Sequence, residues 1–540
     1  MKKYLIKIII INMFFLTLAS TDSVFAVKFS SDKKDYYKEI ETTEGLTLYM
    51  NTENADIGIT GKKTDKISVQ LEVEISNLKP DLRDEFFNET ELIIESYKSG
   101  YRIRLELPDR KKYTSFLRNL FSGSDGFSYS TLFTISIPER YHLDVKNSFG
   151  NISITNVNGN LVLDNSSGAI SVYDSHGRLE LSNSFAGVTV KEFGGDVVVT
   201  SSSAKVELNA IKGSARISSS FDPINIENVE KELTISAQSS EIRVKKVGGK
   251  SFIESSFNPI WVSDISAPLK IDGESCPVDV KNAKNDVEIK SSFNKVKAEQ
   301  IEGNLTINSA SAELEVRQVG KKADLKSTFQ PIIVFDVAGD MFVNGKSCSI
   351  EATNVKGNAK IESSFNLVKL RNIEGKLTVE SSSASVDVYD VGNDAIITTT
   401  FNPVVVDKIT GNLSIDNSSG KVEASNINGD ISIENSFNPV TLKQTTGSIK
   451  VQSQNAPVIV SDFISLPSNA IIDIATSFGK IDLTLPAGTD AAVQAKSSFG
   501  SIESDYPIYM NGSKPVIAKS GQITVKLKTD SDIFVREGSK

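Results

Sequence analysis

The sequence predicts an all-β chain wound as a single parallel β-solenoid, on three observations. Nine phenylalanines, Phe149, Phe185, Phe221, Phe257, Phe293, Phe329, Phe365, Phe401 and Phe437, recur at an unbroken interval of 36 residues. A fixed period of this size marks stacked units. Within each unit, apolar residues stand three and five places after the Phe (Ile152 and Ile154, Ile260 and Val262) and again at twelve and fourteen (Leu161 and Leu163, Leu413 and Ile415), with Gly at ten in seven units of nine. Alternation at spacing two marks a strand with one buried face, and the Gly marks a turn between two strands. Lastly, each half-unit copies the other. Eighteen places after Phe stands Ser167, Ser203, Ser239, Ser275, Ser311, Ser347, Ser383, Ser419 or Asn455, and the Val/Ile alternation resumes.

Strands this short cannot close a core alone, but coiled in parallel each pairs with its copy above and below. We expect coils of about 18 residues, forming a 36-residue double repeat, with each Phe turned inward over the Ser of the next coil, large against small. A 36-residue coil with the rings stacked directly is the alternative. At about 4.8 Å per coil, residues 149–465 would span roughly 85 Å in the first case and half that in the second.

Taken in order, residues 1–26 read as a signal peptide: Lys2 and Lys3, a largely apolar run from Ile8 to Leu18, and the small-residue cleavage pattern Val24-Phe25-Ala26. An uncleaved anchor is the rival reading, although Lys7 shortens the apolar run below spanning length. The mature chain is expected to be exported, to the periplasm, the cell surface or beyond, with no transmembrane span after cleavage. Residues 27–146 form a β-rich N-terminal region. Strands are expected around 46–50, 67–73, 92–94, 101–107 and 132–137, and helical turns near 81–87 and 113–121. The second of these is basic and amphipathic, with Tyr113, Phe116, Leu117, Leu120 and Phe121 at helical spacing. Such a stretch can lie on a membrane, but capping the open end of the rod is the expected role. Residues 147–465 are the repeat array. Residues 466–540 keep the turn chemistry in Ser477-Phe478-Gly479 and Ser498-Phe499-Gly500 but lose the period, as an atypical terminal cap does.

The net charge of −9 argues against a nucleic-acid partner, which needs a basic footprint. Cys276 and Cys348 fall in a column otherwise filled by Gly, Ala and Ser and are 72 residues apart. Four coils of about 4.8 Å exceed the reach of a disulfide, so both are expected to be reduced packing residues. No His-Glu-x-x-His, Cys-x-x-Cys or Gly-x-Ser-x-Gly occurs, and the two histidines, His142 and His176, lack ligand partners at metal spacing. No cofactor is expected, and the turns lack the Gly-Gly-x-Gly-x-Asp of calcium-binding coils. The enzymatic alternative is a polysaccharide-cleaving solenoid using clustered carboxylates. Its candidates are Asp387, Asp390 and Asp394, or Asp336 and Asp340, which read better as solvated turn acids.

The stretch Ile137-Pro138-Glu139-Arg140-Tyr141-His142-Leu143-Asp144-Val145-Lys146-Asn147-Ser148-Phe149-Gly150, with Leu485-Pro486-Ala487-Gly488-Thr489-Asp490 and Lys496-Ser497-Ser498-Phe499-Gly500, resembles a bacterial cell-envelope family named "putative adhesin". The resemblance covers roughly residues 40–540. It implies a β-solenoid domain and, by its name, adhesion; its motifs are turn signals and carry no reactive groups.

One outward column supplies a candidate contact surface. Trp261, Lys297, Ile333, Lys369 and Val405, with Phe335 beside them, form an apolar strip with lysines between, suited to a protein or glycan partner. The expected function is therefore a non-enzymatic, adhesin-like binding or scaffolding protein of the envelope. The alternatives are a structural spacer with no special patch and a carbohydrate-active enzyme.

Overall fold

In the computed structural model the strand Ile260–Ile265 pairs in parallel with Val278–Ala283, Ile260 against Val278. The offset is 18 residues, and it holds from coil to coil through the array. The structure describes residues 31–109, 112–113, 127–511, 514–516 and 521–539; the leader and most of the amphipathic stretch 113–121 lie outside them. The molecule is an all-β parallel solenoid of 18-residue coils, with an antiparallel N-terminal region and one short helix, Pro80–Glu89.

Each coil contributes one strand to each of two long sheets. Ile253 and Ser255 point inward from the strand Ser251–Ser255, and Ile260, Val262 and Ile265 from the next. The step from Val262 to Ile265 is three residues, not two. It is made possible by Asp264, whose φ of 60° lies in the left-handed region and bends the strand. That position recurs in every coil from Asn156 to Asp462, always at positive φ. The bend adds a third buried apolar column, with Phe193, Ile211, Val229, Val247, Ile265 and Ile301 among its members. At the other turn, an Asp or Asn ties coil to coil. Oδ1 of Asp286 accepts the N–H of Asn304 at 2.8 Å, and Asp340, Asp394 and Asp430 do the same for Asn358, Asn412 and Ser448.

Phe149 through Phe437 point outward, against the sequence expectation that they fill the core. All nine are 54–69% exposed. The inward parity of the preceding strand, at Ile253 and Ser255, would carry Phe257 inside if the strand continued. It ends at Ser255, and the Ser-Phe-Asn-Pro arc swings the ring out. The interior of an 18-residue coil is filled by Val, Ile and Leu and leaves no room for a ring every second layer.

Small residues close the core beneath this arc in matched pairs. In the nine coils without a Phe the pairs are Asn165 and Gly168, Ser201 and Ala204, Ala237 and Ser240, Gly273 and Cys276, Ser309 and Ala312, Gly345 and Cys348, Ser381 and Ala384, Asn417 and Gly420, Ser453 and Ala456. As one member grows the other shrinks. Both cysteines are buried and free. Burial pushes their thiols up, Cys348 to about 11.

Both ends interlock. The N-terminal coil Thr47–Asn54 and Asp56–Lys62 lies between the later segments Gly100–Glu106 and Ser128–Pro138 on one side and His142–Phe149 and Ile152–Thr155 on the other. Both sheets thus run unbroken past residue 146. The outer edges are finished by the antiparallel strands Ser31–Glu41 and Lys66–Ser76, and by Glu91–Tyr97. Phe86 of the helix packs edge-on against Tyr113 at 5.3 Å. At the other end, the last coil, Ile523–Thr529 and Ile533–Glu537, is inserted between Ile471–Ala475 and Ile481–Leu485 below and Ala491–Ser497 and Ile502–Ser504 above. The period is lost first in the longer turn at 462–470, which sets Ile472 and Ile481 23 residues after their partners Ile449 and Val458, and then in the inserted coil.

Candidate contact surface

Two outer surfaces present apolar groups. The first is the edge formed by the arcs. Here Phe and a small polar residue alternate layer by layer: Phe257 above Ser239 and below Ser275, Phe401 above Ser383 and below Ser419. The alternation survives the C-terminal rearrangement. Phe478 follows Asn455, Asp530 of the inserted coil comes next, and Phe499 stands on the layer after it, so Phe478 and Phe499 extend the row at 68% and 87% exposure. Successive rings are two strand spacings apart, about 9.6 Å. The ten from Phe149 to Phe478 span eighteen coil steps, about 86 Å.

The rings sit on braced arcs. The residue after Phe is often Asn, and its Nδ2 donates to the backbone carbonyl of the Ser in the coil before. Asn366 reaches Ser347 at 2.6 Å, and Asn258, Asn294, Asn402 and Asn438 repeat the bond to Ser239, Ser275, Ser383 and Ser419. These five Phe coils are thus clipped to the Ser coils before them. Pro follows at 223, 259, 331, 403 and 439, fixing φ and leaving no N–H to satisfy. The row just before Phe is Ser or Thr in every Phe coil from Ser148 to Ser477.

The second surface is the outer face of the sheet that carries the candidate strip. Trp261, Lys297, Ile333, Lys369 and Val405 do point outward, in one column, on alternate coils. Reading at a 36-residue period skipped the coils between. These place Asp279, Glu315, Glu351, Asp387 and Glu423 in the same column, so Ile333 lies between Glu315 and Glu351, and Val405 between Asp387 and Glu423. Lys369 pairs with Glu351 at 2.8 Å and Lys297 with Glu299 at 3.4 Å. Trp261 is half-buried, with the Arg243 guanidinium stacked 3.9 Å from the ring centre, and Phe335 is covered likewise by Arg317 at 4.6 Å. Trp261 and Arg243 line an open groove of about 540 Å³ with Glu207, Asn225, Glu227 and Asp279. The column is a charged comb with apolar teeth, not a continuous apolar strip.

The carboxylates weighed for catalysis each have a partner. Asp387 pairs with Arg371 at 2.5 Å and Asp390 with Lys408; Asp336 accepts from Asn354 at 2.8 Å, and Asp340 and Asp394 belong to the turn ladder. Nδ1 of His142 accepts the N–H of Asn160 at 2.8 Å. Among the described residues no three His, Cys, Asp or Glu side chains gather as a metal site. No described helix is long and apolar enough to cross a membrane.

No family model and no curated protein matches the chain. Among solved structures it is similar to one described as a putative cell adhesion protein from Clostridium sporogenes, at 12% identity and a TM-score of 0.17. The match covers 46% of this chain and 100% of that one. At that score the likeness carries no argument about function.

The outward rings were missed by following strand parity through the arc. The available signal was the spelling Ser-Ser-Phe-Asn-Pro itself, whose flanking residues are those of a turn.

Proposed function

We propose that the chain is an exported, non-enzymatic rod of the cell envelope acting as an adhesin-like binding or scaffolding protein, with the phenylalanine edge as its main working surface. One observation carries this reading: rings at half or more of full exposure are held on braced arcs at constant spacing along the array. Folding does not require them, because alternate coils close the same arc with Ser. A long row of exposed rings left in water favours aggregation unless it meets a partner. The Trp261 groove is a smaller contact site, where a stacked ring and guanidinium beside carboxylates suit a polar ligand such as a glycan.

The test replaces Phe221, Phe257, Phe293, Phe329 and Phe365 with Ser, the residue of the intervening coils, and fractionates expressing cells. The wild-type chain should stay with washed envelopes, and the variant, with its thermal melt preserved, should be released. Equal retention would refute the reading. A panel of polysaccharides with a reducing-end assay should show no cleavage, and Trp261→Ala should weaken glycan or protein binding without lowering the melt. A mere spacer would instead tolerate the five Ser substitutions and respond in proportion to deletion of any one 36-residue repeat.

A further inference from the structure

We propose that the occupant of the phenylalanine edge is a second copy of this chain, docked antiparallel with the two rows of rings interleaved. This rests on the reading of that edge as a contact surface. Only an object with the same period along the whole row can engage every ring in register, and a second copy has it by identity. The gaps fit such a partner. They are about 9.6 Å wide and floored by Ser167 through Ser419. A ring entering a gap sits about 4.8 Å from its neighbours on either side, within the range of roughly 4.5–7 Å favoured by aromatic pairs.

The area is sufficient. Ten rings at about 60% exposure, taking roughly 200 Å² for a whole Phe, offer about 1,200 Å² on each copy. Both copies together reach about 2,400 Å², above the roughly 1,200–2,000 Å² of stable complexes. The composition also suits an interface core, which is rich in aromatics and poor in charge. In a chain with 24% charged residues, the ring row from Phe149 to Phe478, read with its inserted Ser and Asn455, holds no charge between those ends.

Charge fixes the direction. In the row just before the rings, from Ser148 to Ser477, the only charged residues are Glu274 and Lys346. Both are exposed, and neither makes an ion pair among the described residues. They lie two coils to either side of the Ser311 coil, which is also the centre of the ten rings from Phe149 to Phe478. A two-fold axis across the rods lays this row against itself reversed; parallel rods would lay it against the row after the rings. With the axis half a coil from Ser311, the rings interleave. Glu274 then stands one strand spacing, about 4.8 Å along the rod, from the partner's Lys346, and the pair occurs twice.

Sedimentation equilibrium of the chain from residue 27 tests this. The wild type should be a dimer, and the five-Ser variant should be weakened more than roughly a hundredfold. Glu274→Lys or Lys346→Glu alone should weaken it by roughly threefold to thirtyfold, and the double swap should restore it. A wild type that is monomeric at about 100 μM, or that instead sediments with phosphatidylcholine–phosphatidylglycerol vesicles or with insoluble glycan, overturns self-association. If such a monomer still loses envelope retention on Phe→Ser substitution, the contact reading stands and only the second copy falls. A dimer whose swaps do not rescue one another overturns the antiparallel register.

Discussion

The paired small residues under the arcs predict a strong energetic coupling between Gly273 and Cys276. A Cβ on Gly273 would lie 3.3 Å from Cys276 Cβ, 3.4 Å from Ile260 Cδ1 and 3.5 Å from Val278 Cγ2. Gly273→Ser therefore overpacks a closed core and should cost about 1–3 kcal/mol. Cys276→Ala removes a fully buried sulfur beside a Gly and leaves a void, costing about 1–2 kcal/mol. The double variant recreates a pairing the rod already uses. At Ser309 and Ala312 the Ala N–H donates to the Ser hydroxyl at 2.9 Å, and the Ser453 and Ala456 coil carries the same following Pro. It should be close to wild type, giving a coupling of roughly 2–5 kcal/mol, the sum of the two single costs. A solenoid need not unfold in one step, so the assay is hydrogen exchange of the peptides covering 251–290. Gly273→Ser should exchange up to roughly a hundredfold faster there and Cys276→Ala up to roughly 30-fold, and the double should return to the wild-type rate. Additive losses in the double would refute the size-matching account.

Because burial raises both thiols, Cys348 to about 11, neither should react with a thiol reagent at pH 8 in the folded chain, and both should react once it is denatured. The stability from keeping them neutral is present below the ordinary thiol value of 9.0 and lost as pH rises through the folded values. Ala210 sits at φ 57°, where an L side chain is strained, so Ala210→Gly should stabilise by about 0.5–1 kcal/mol, the opposite of the usual sign in a strand, read as a higher melting temperature. Deleting residues 521–540 removes the inserted coil and leaves Ala491–Ser497 and Ile502–Ser504 without their parallel partners. Amide protection there should vanish while coils up to Val440–Thr445 keep theirs.

Much of the coil was legible because it is written in periodic Val, Ile and Leu, and a period is a direct image of stacking. The 18-residue layer, the inward residues Ile260 and Val262, the small-residue role of Cys276 and Cys348, and the helical turn near Phe86 all come from local pattern. The remainder depends on how the chain leaves a strand. Asp264 and its equivalents break the spacing of two without a residue type in common, since Lys246, Gln300 and Glu192 fill the same position. The Phe arcs reverse the parity of the strand before them. The inserted terminal coils pair segments that the sequence separates, as with Ile481 and Ile533. On the flank, the 36-residue rhythm of the phenylalanines concealed the carboxylates of the intermediate coils. Opposite charges at Glu274 and Lys346 stand out only once their row is known to border the rings.

Hydroxyl-radical footprinting of the chain, diluted until it is monomeric, tests most directly whether the rings are a surface. Phe221, Phe257, Phe293, Phe329, Phe365 and Phe401 should be oxidised at the rate of exposed phenylalanine, and Phe133 and Phe193, both fully buried, should be protected. Ladder rings as unreactive as Phe193 would place them in the core and contradict the account.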